Sequence, residues 1–66
     1  MGNYETCVVS DERIYEDQEC YFSQITNCYY ISFEAAIFHH KQLGYTEEEI
    51  KEANEELVIY YTTYAE

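Results

Sequence analysis

The 66-residue chain has no proline and two glycines, Gly2 and Gly44. Two glycines so far apart cannot build the loop that cradles phosphate in nucleotide-binding enzymes. No linker-like segment and no internal repeat breaks the chain, so residues 1–66 read as one domain. Basic side chains are also scarce. Three lysines and arginines stand against fourteen aspartates and glutamates, for a net charge of −11. Direct binding to DNA, RNA or an anionic membrane surface needs a basic patch that this composition does not supply. No apolar run approaches the length of a membrane span. Cysteine is sparse and odd in number. Cys7, Cys20 and Cys28 cannot all pair within one chain, and no signal-peptide pattern precedes them. They are expected to be free thiols in a reducing cytosol, behaving as small hydrophobes.

Apolar content is plentiful by contrast. Hydrophobic residues make up 47% and aromatic residues 18% of the chain, well above what a disordered acidic tail carries. Nine of the aromatics are tyrosines. A tyrosine buries its ring and keeps its hydroxyl wet, which suits a domain too small to have a deep interior. A chain of this length buries only roughly 60% of the surface it exposes when unfolded, leaving little room for both a core and an enclosed active site.

The pattern predicts an α+β domain: a small, mostly antiparallel sheet of three or four strands, with two short helices on one face, in the order β-β-(β)-α-α-β. "YETCVV" (4–9) is rich in strand formers and ends at the turn signal "SDE". "RIYEDQECYFSQ" leaves open a strand at Ile14 and Tyr15, another near Cys20 to Phe22, or a loop between them. "CYYIS" (28–32) reads as a strand. Ser32 is a candidate N-cap for a helix from Phe33 to about Leu43, with Phe33, Ala36, Ile37 and His40 along one face and Gly44 as a left-handed terminator. Thr46 and Glu49 form a capping box that opens a second helix. Ile50, Ala53 and Leu57 are its expected inward edge, and Asn54 its expected stop. "LVIYYTTY" (57–64) alternates as a final strand.

The acidic residues gather in two stretches. In the second helix Glu47, Glu48, Glu52, Glu55 and Glu56 join Glu49; Glu47 can pair with Lys51 four residues on. The remaining carboxylates have no basic neighbours in sequence. Asp11, Glu12, Glu16, Asp17 and Glu19 form the other stretch. Duplex DNA carries about one negative charge per 1.7 Å of axis, and a helix rising about 1.5 Å per residue can approximate such a row. Glu47, Glu48, Glu52, Glu55 and Glu56, with Asp11, Glu12, Glu16, Asp17 and Glu19, are the candidate partner-binding residues. Aromatic anchors for such an interface are available in Tyr29, Tyr30, Tyr60, Tyr61 and Tyr64.

In "SDERIYEDQE" (10–19) and "TEEEIKEANEE" (46–56) the chain resembles, in physical type, the small acidic DNA-mimic inhibitors encoded by phages and mobile elements, anti-CRISPR and anti-restriction proteins above all. The resemblance implies inhibition without chemistry: occupying the DNA-binding channel of a CRISPR-Cas effector or another basic nucleic-acid-binding complex in a bacterial cytoplasm. The alternative expectation is an adaptor module that docks, or pairs as a homodimer, through a tyrosine-lined sheet face, with charge serving solubility.

Other chemistries fit less well. Cys20, Cys28, His39 and His40, with Cys7, are the conceivable zinc ligands. Seven residues separate Cys20 from Cys28, however, where knuckles use two to four. His39 and His40 are adjacent on a helix and point about 100° apart. The reading without metal is two buried thiols, one core-edge histidine and one exposed histidine. The acidic stretches lack the ligand order and central glycine of a calcium loop. A Cys–His nucleophile needs a cationic neighbour that this composition does not provide, and surrounding acidity should raise thiol pKa values. Neither an enzyme nor a cofactor is expected. "MGNYET" fits the loose myristoylation pattern, with Gly2 and Thr6 in register, but a single acyl chain without basic residues holds membranes weakly.

Overall fold

The computed structural model describes residues 4–64; Gly2 and its myristoylation pattern lie outside them. The chain is α+β and its strands are antiparallel throughout. Among the described residues five strands form where three or four are expected, and they divide into two sheets. β1 (Tyr4–Thr6) and β2 (Arg13–Tyr15) make a hairpin. β3 (Glu19–Ser23), β4 (Cys28–Tyr30) and β5 (Ile59–Thr63) make a sheet in the order β4-β3-β5. Between β4 and β5 lie α1 (Phe33–Gln42) and α2 (Glu47–Glu55).

The hairpin is shorter than its apolar content predicts. β1 ends at Thr6 because the Cys7 amide turns to the Glu12 carbonyl (2.8 Å) and Asp11 takes a left-handed conformation (φ 61). Val8 is thereby left exposed in the turn. Asp17 (φ 66) and Asn27 (φ 60) make the same left-handed turn before β3 and β4. Short polar side chains tolerate this region best, so turn chemistry accounts for all three.

Alternation along the strands sorts the central sheet into two faces. Tyr21 packs on Phe33 of α1 (ring centroids 5.5 Å) and the Ser23 hydroxyl meets His40. Glu19, Tyr21 and Ser23 therefore look toward the helices, with their cross-strand partners Thr63, Tyr61 and Ile59 on β5 and Tyr30 and Cys28 on β4. Cys20, Phe22, Tyr29, Tyr60 and Thr62 look the other way. α1 packs over β3 and β4, and α2 over β5. The buried apolar core is Cys7, Ile14, Cys20, Tyr30, Ala35, Ala36, Ile50, Ala53 and Ile59, and Tyr30 is its largest side chain.

Both helices start where the capping residues place them. Ser32 Oγ accepts from the Ala35 amide (3.3 Å). Thr46 Oγ1 accepts from the Glu49 amide (3.2 Å), while the Glu49 carboxylate accepts from the Thr46 amide (3.1 Å). α1 ends at Gly44, whose φ of 103 suits glycine; beyond its two chain neighbours nothing stands within 4 Å of where its Cβ would be, so conformation rather than crowding selects glycine there. α2 runs past Asn54 to Glu55 and ends on Leu57 in the left-handed region (φ 63). That reversal overturns two expectations. Leu57 points to solvent with 67% of its surface exposed, and β5 begins only at Ile59.

Candidate partner-binding surface

Every described carboxylate is solvent-exposed, and the structure separates those with a local role from those without one. Glu47 pairs with Lys41 across the α1–α2 connection (2.8 Å) instead of with Lys51, because the turn at Gly44 brings the end of α1 beside the start of α2. Hydrogen bonding and the charge of Lys41 hold the Glu47 carboxyl below its ordinary value. Asp11 and Asp17 make left-handed turns. Glu19 sits beside Tyr61, and hydrogen bonding to it pushes that phenol up to about 12. Glu49 completes the capping box.

Glu5 accepts from the Thr6 amide (3.4 Å) and Glu34 sits in the first turn of α1, so of the carboxylates expected to bind a partner Glu12, Glu16, Glu48, Glu52, Glu55 and Glu56 remain. Glu48, Glu52 and Glu55 fall within about 60° of arc on the side of α2 opposite Ile50, spanning about 10 Å of rise. One strand of a duplex carries about one phosphate per 3.4 Å, so this stripe matches a single strand more nearly than a duplex. Glu55 and Glu56 lie at the C-terminal end of α2, where the helix dipole disfavours anions, and the last turn has no basic residue. Helix stability does not explain their charge.

The N-terminal acidic stretch does not form one cluster. β2 separates Asp11 and Glu12, at the hairpin turn, from Glu16, Asp17 and Glu19, at its other end. Four extended residues from Glu12 to Glu16 span roughly 13 Å. Of the three basic residues, Arg13 lies over the Tyr4 ring (4.7 Å), Lys41 holds Glu47, and Lys51 lines the groove between the helices. This groove, about 420 Å³, is open, with Phe33, Ile37 and Ile50 as its apolar lining and Glu47, Lys51 and Asn54 at its rim.

The tyrosines divide as well. Tyr30 is fully buried, and its hydroxyl bonds Thr26 Oγ1 and His39 Nδ1, each at 2.7 Å. Tyr61 is exposed on the helix side of β5. Tyr29, Tyr60 and Tyr64 are half-buried around Phe22 on the far face. Phe22–Tyr29, Phe22–Tyr60 and Tyr29–Tyr64 centroids lie 4.8, 5.8 and 5.0 Å apart. Burial raises the phenol pKa values of Tyr29 and Tyr30.

Two histidine expectations change. His39 is half-buried against Tyr30 and not exposed, and His40 is fully buried. His40 Nδ1 bonds the Ala36 carbonyl (2.7 Å), so it carries the proton and Nε2 accepts from the Ser23 hydroxyl (2.9 Å). A serine–histidine pair of this length is the geometry of a nucleophile and its base. Here it has no path to solvent, no carboxylate orients the ring, and Ser23 Oγ also accepts from the Ile25 and Thr26 amides. The pair is a structural fastener. Sequence reasoning missed it, since its members lie seventeen positions apart.

The three cysteines are free thiols. Cys7 and Cys20 are buried, whereas Cys28 is half-buried and its thiol donates to the Thr26 carbonyl (3.3 Å). Burial raises the Cys20 thiol. Cys7 departs from the expected upward shift. Burial pushes it up, but hydrogen bonds from Ser10 and from the backbone at Ile31 and Val9 outweigh that and leave it lowered. Among the described residues, no three His, Cys, Asp or Glu side chains converge as a metal site, and no helix is long and apolar enough to cross a membrane. No family model, curated protein or solved structure matches the chain.

Proposed function

We propose that this protein is an inhibitor that presents an acidic surface in place of nucleic acid and blocks the DNA-binding channel of a basic complex, a CRISPR-Cas effector in a bacterial cytoplasm being the leading target. The observation that carries this reading is the stripe Glu48, Glu52 and Glu55 with Glu56: exposed, forming no ion pair among the described residues, and placed in part where the helix dipole opposes it. The shape supports it too. The molecule is 39 Å along its longest axis, the length of about eleven base pairs at about 3.4 Å each. Mimicry of this kind requires no chemistry, and fast association follows from electrostatic steering.

The test is capture from nuclease-treated lysate of bacteria carrying CRISPR and restriction systems, with salt elution and duplex DNA as competitor. A DNA-binding complex that leaves with salt and is displaced by DNA supports mimicry. Retention of capture by the folded Glu48→Lys/Glu52→Lys/Glu55→Lys variant would sink it. A second reading rests on the ring cluster around Phe22. In an adaptor docking through that face, Tyr60→Ala or Tyr64→Ala removes binding and the lysine substitutions do not.

A further inference from the structure

We propose that the outer edge of β5 is a strand-addition site for an extended, basic segment of the partner, its cationic side chains lying along the α2 glutamates. The inference rests on the reading of a basic partner and specifies how that partner is held.

β5 is a terminal strand in the order β4-β3-β5. The Gln24 amide bonds the Val58 carbonyl (2.8 Å), and the Tyr64 amide bonds the Gln18 carbonyl (3.1 Å). In an antiparallel ladder these contacts alternate, so Tyr60 and Thr62, together with the Val58 carbonyl and the Tyr64 amide, turn toward β3, while the Val58 amide bonds the Ala53 carbonyl of α2. Ile59, Tyr61 and Thr63 turn theirs outward, and no strand among the described residues takes them up. Natural edges are guarded by charge, proline or a bulge. The β5 sequence, IYYTT, has no charge and no proline, and its register against β3 runs unbroken from Ile59 to Thr63. The opposite edge strand, β4, differs in having the β1–β2 hairpin packed beside it.

Charge selects the occupant. α2 packs over β5 and turns Glu47, Lys51 and Asn54 toward the groove it shares with α1. At about 100° per residue, Glu49, Glu52 and Glu56 take the opposite flank, on the open side of β5. A strand added there meets carboxylates on its helix side and the plane of Tyr60, Thr62 and Tyr64 on its other side. An occupant alternating lysine or arginine with apolar residues satisfies both, its backbone supplying the ladder and alternate side chains the specificity. A second copy of the chain would bring its own charge of −11 against the same carboxylates.

The experiment titrates the full-length protein with a capped Lys-Val-Lys-Val-Lys-Val peptide, read by amide hydrogen exchange. Its twin is N-methylated along one edge, keeping the charge but losing the ladder. At a tenfold excess over Kd, exchange at Ile59, Tyr61 and Thr63 is expected to slow about tenfold. Tyr60 and Thr62, bonded already to β3, should change little, and the methylated twin should give no such protection. A Thr63→Pro variant, which removes an outward amide only, should lose the effect. Equal binding of both peptides through the glutamates alone overturns the edge site while leaving the basic-partner reading intact. Absence of protection by either peptide also overturns it, as does concentration-dependent protection without peptide, the sign of self-pairing. Mimicry itself is decided separately, by DNA competition for the captured complex.

Discussion

The Ser23 hydroxyl lies 2.9 Å from Nε2 of His40, and neither side chain reaches solvent. This bond ties the middle strand of the sheet to α1. Ser23 also accepts from the amides of Ile25 and Thr26 and so shapes the turn into β4. Ser23→Ala leaves a buried ring nitrogen and two amides without this partner. The expected loss is about 1–3 kcal/mol, which lowers Tm by roughly 4–8 °C per kcal/mol in a domain this small. Thermal unfolding checks the size of the loss. Partner capture by the folded variant should be unchanged, because the pair is enclosed.

Tyr61 should be the phenol that ionises near 12, raised chiefly by hydrogen bonding to Glu19. A folded value above the unfolded one, about 10, means that the folded state holds the proton more tightly. The stabilising contribution is full below about pH 10 and is lost as pH rises from there through 12. Resolved NMR titration of the Tyr61 ring checks the value. Glu19→Gln should bring it down, and an unchanged midpoint in that variant would show that the carboxylate is not the cause.

Leu57 is held in the left-handed region, fully in keeping with its place after the end of α2 but against the preference of a side chain with a Cβ. The strain is about 1 kcal/mol, and two-thirds exposure means that the leucine returns little by burial. Leu57→Gly should therefore raise stability by up to about 1 kcal/mol, as glycine does at Gly44. Denaturant unfolding measures it. A loss of stability would mean that the leucine makes packing contacts that its exposure conceals.

These positions show what was legible in the sequence. The caps at Ser32 and Thr46 and the stop at Gly44 are local chemistry, and they were found where the residues placed them. Strand existence was legible, but strand pairing depends on long-range contacts. The division into a hairpin and a separate sheet hangs on turns at Asp11 and Asp17 whose acidity read instead as part of a binding cluster. Leu57 looked like core because its spacing from Ile50 and Ala53 is helical, and the backbone reversal at that residue cancels the spacing. The Ser23–His40 bond joins residues with no periodic relation. The shared outer face of Glu48, Glu52 and Glu55 was legible because a helix converts spacing directly into a face, whereas the pairing of Glu47 with Lys41 depends on the turn at Gly44.

Glu55 and Glu56 separate stability from binding most sharply. Both stand at the negative end of the α2 dipole with no basic residue in the last turn. Replacing them with lysine should stabilise the helix by about 0.3–1 kcal/mol each, since cations are favoured there. Relief of the overall charge of −11 acts in the same direction. If the acidic stripe is the contact surface, the Glu55→Lys/Glu56→Lys protein should unfold at a higher temperature and yet bind its partner more weakly, with a shallower dependence of affinity on salt. Thermal unfolding beside a salt series of the captured complex measures both quantities on one variant. A more stable protein with undiminished binding would move the contact away from this end of α2, and a less stable one would show that the glutamates serve the fold.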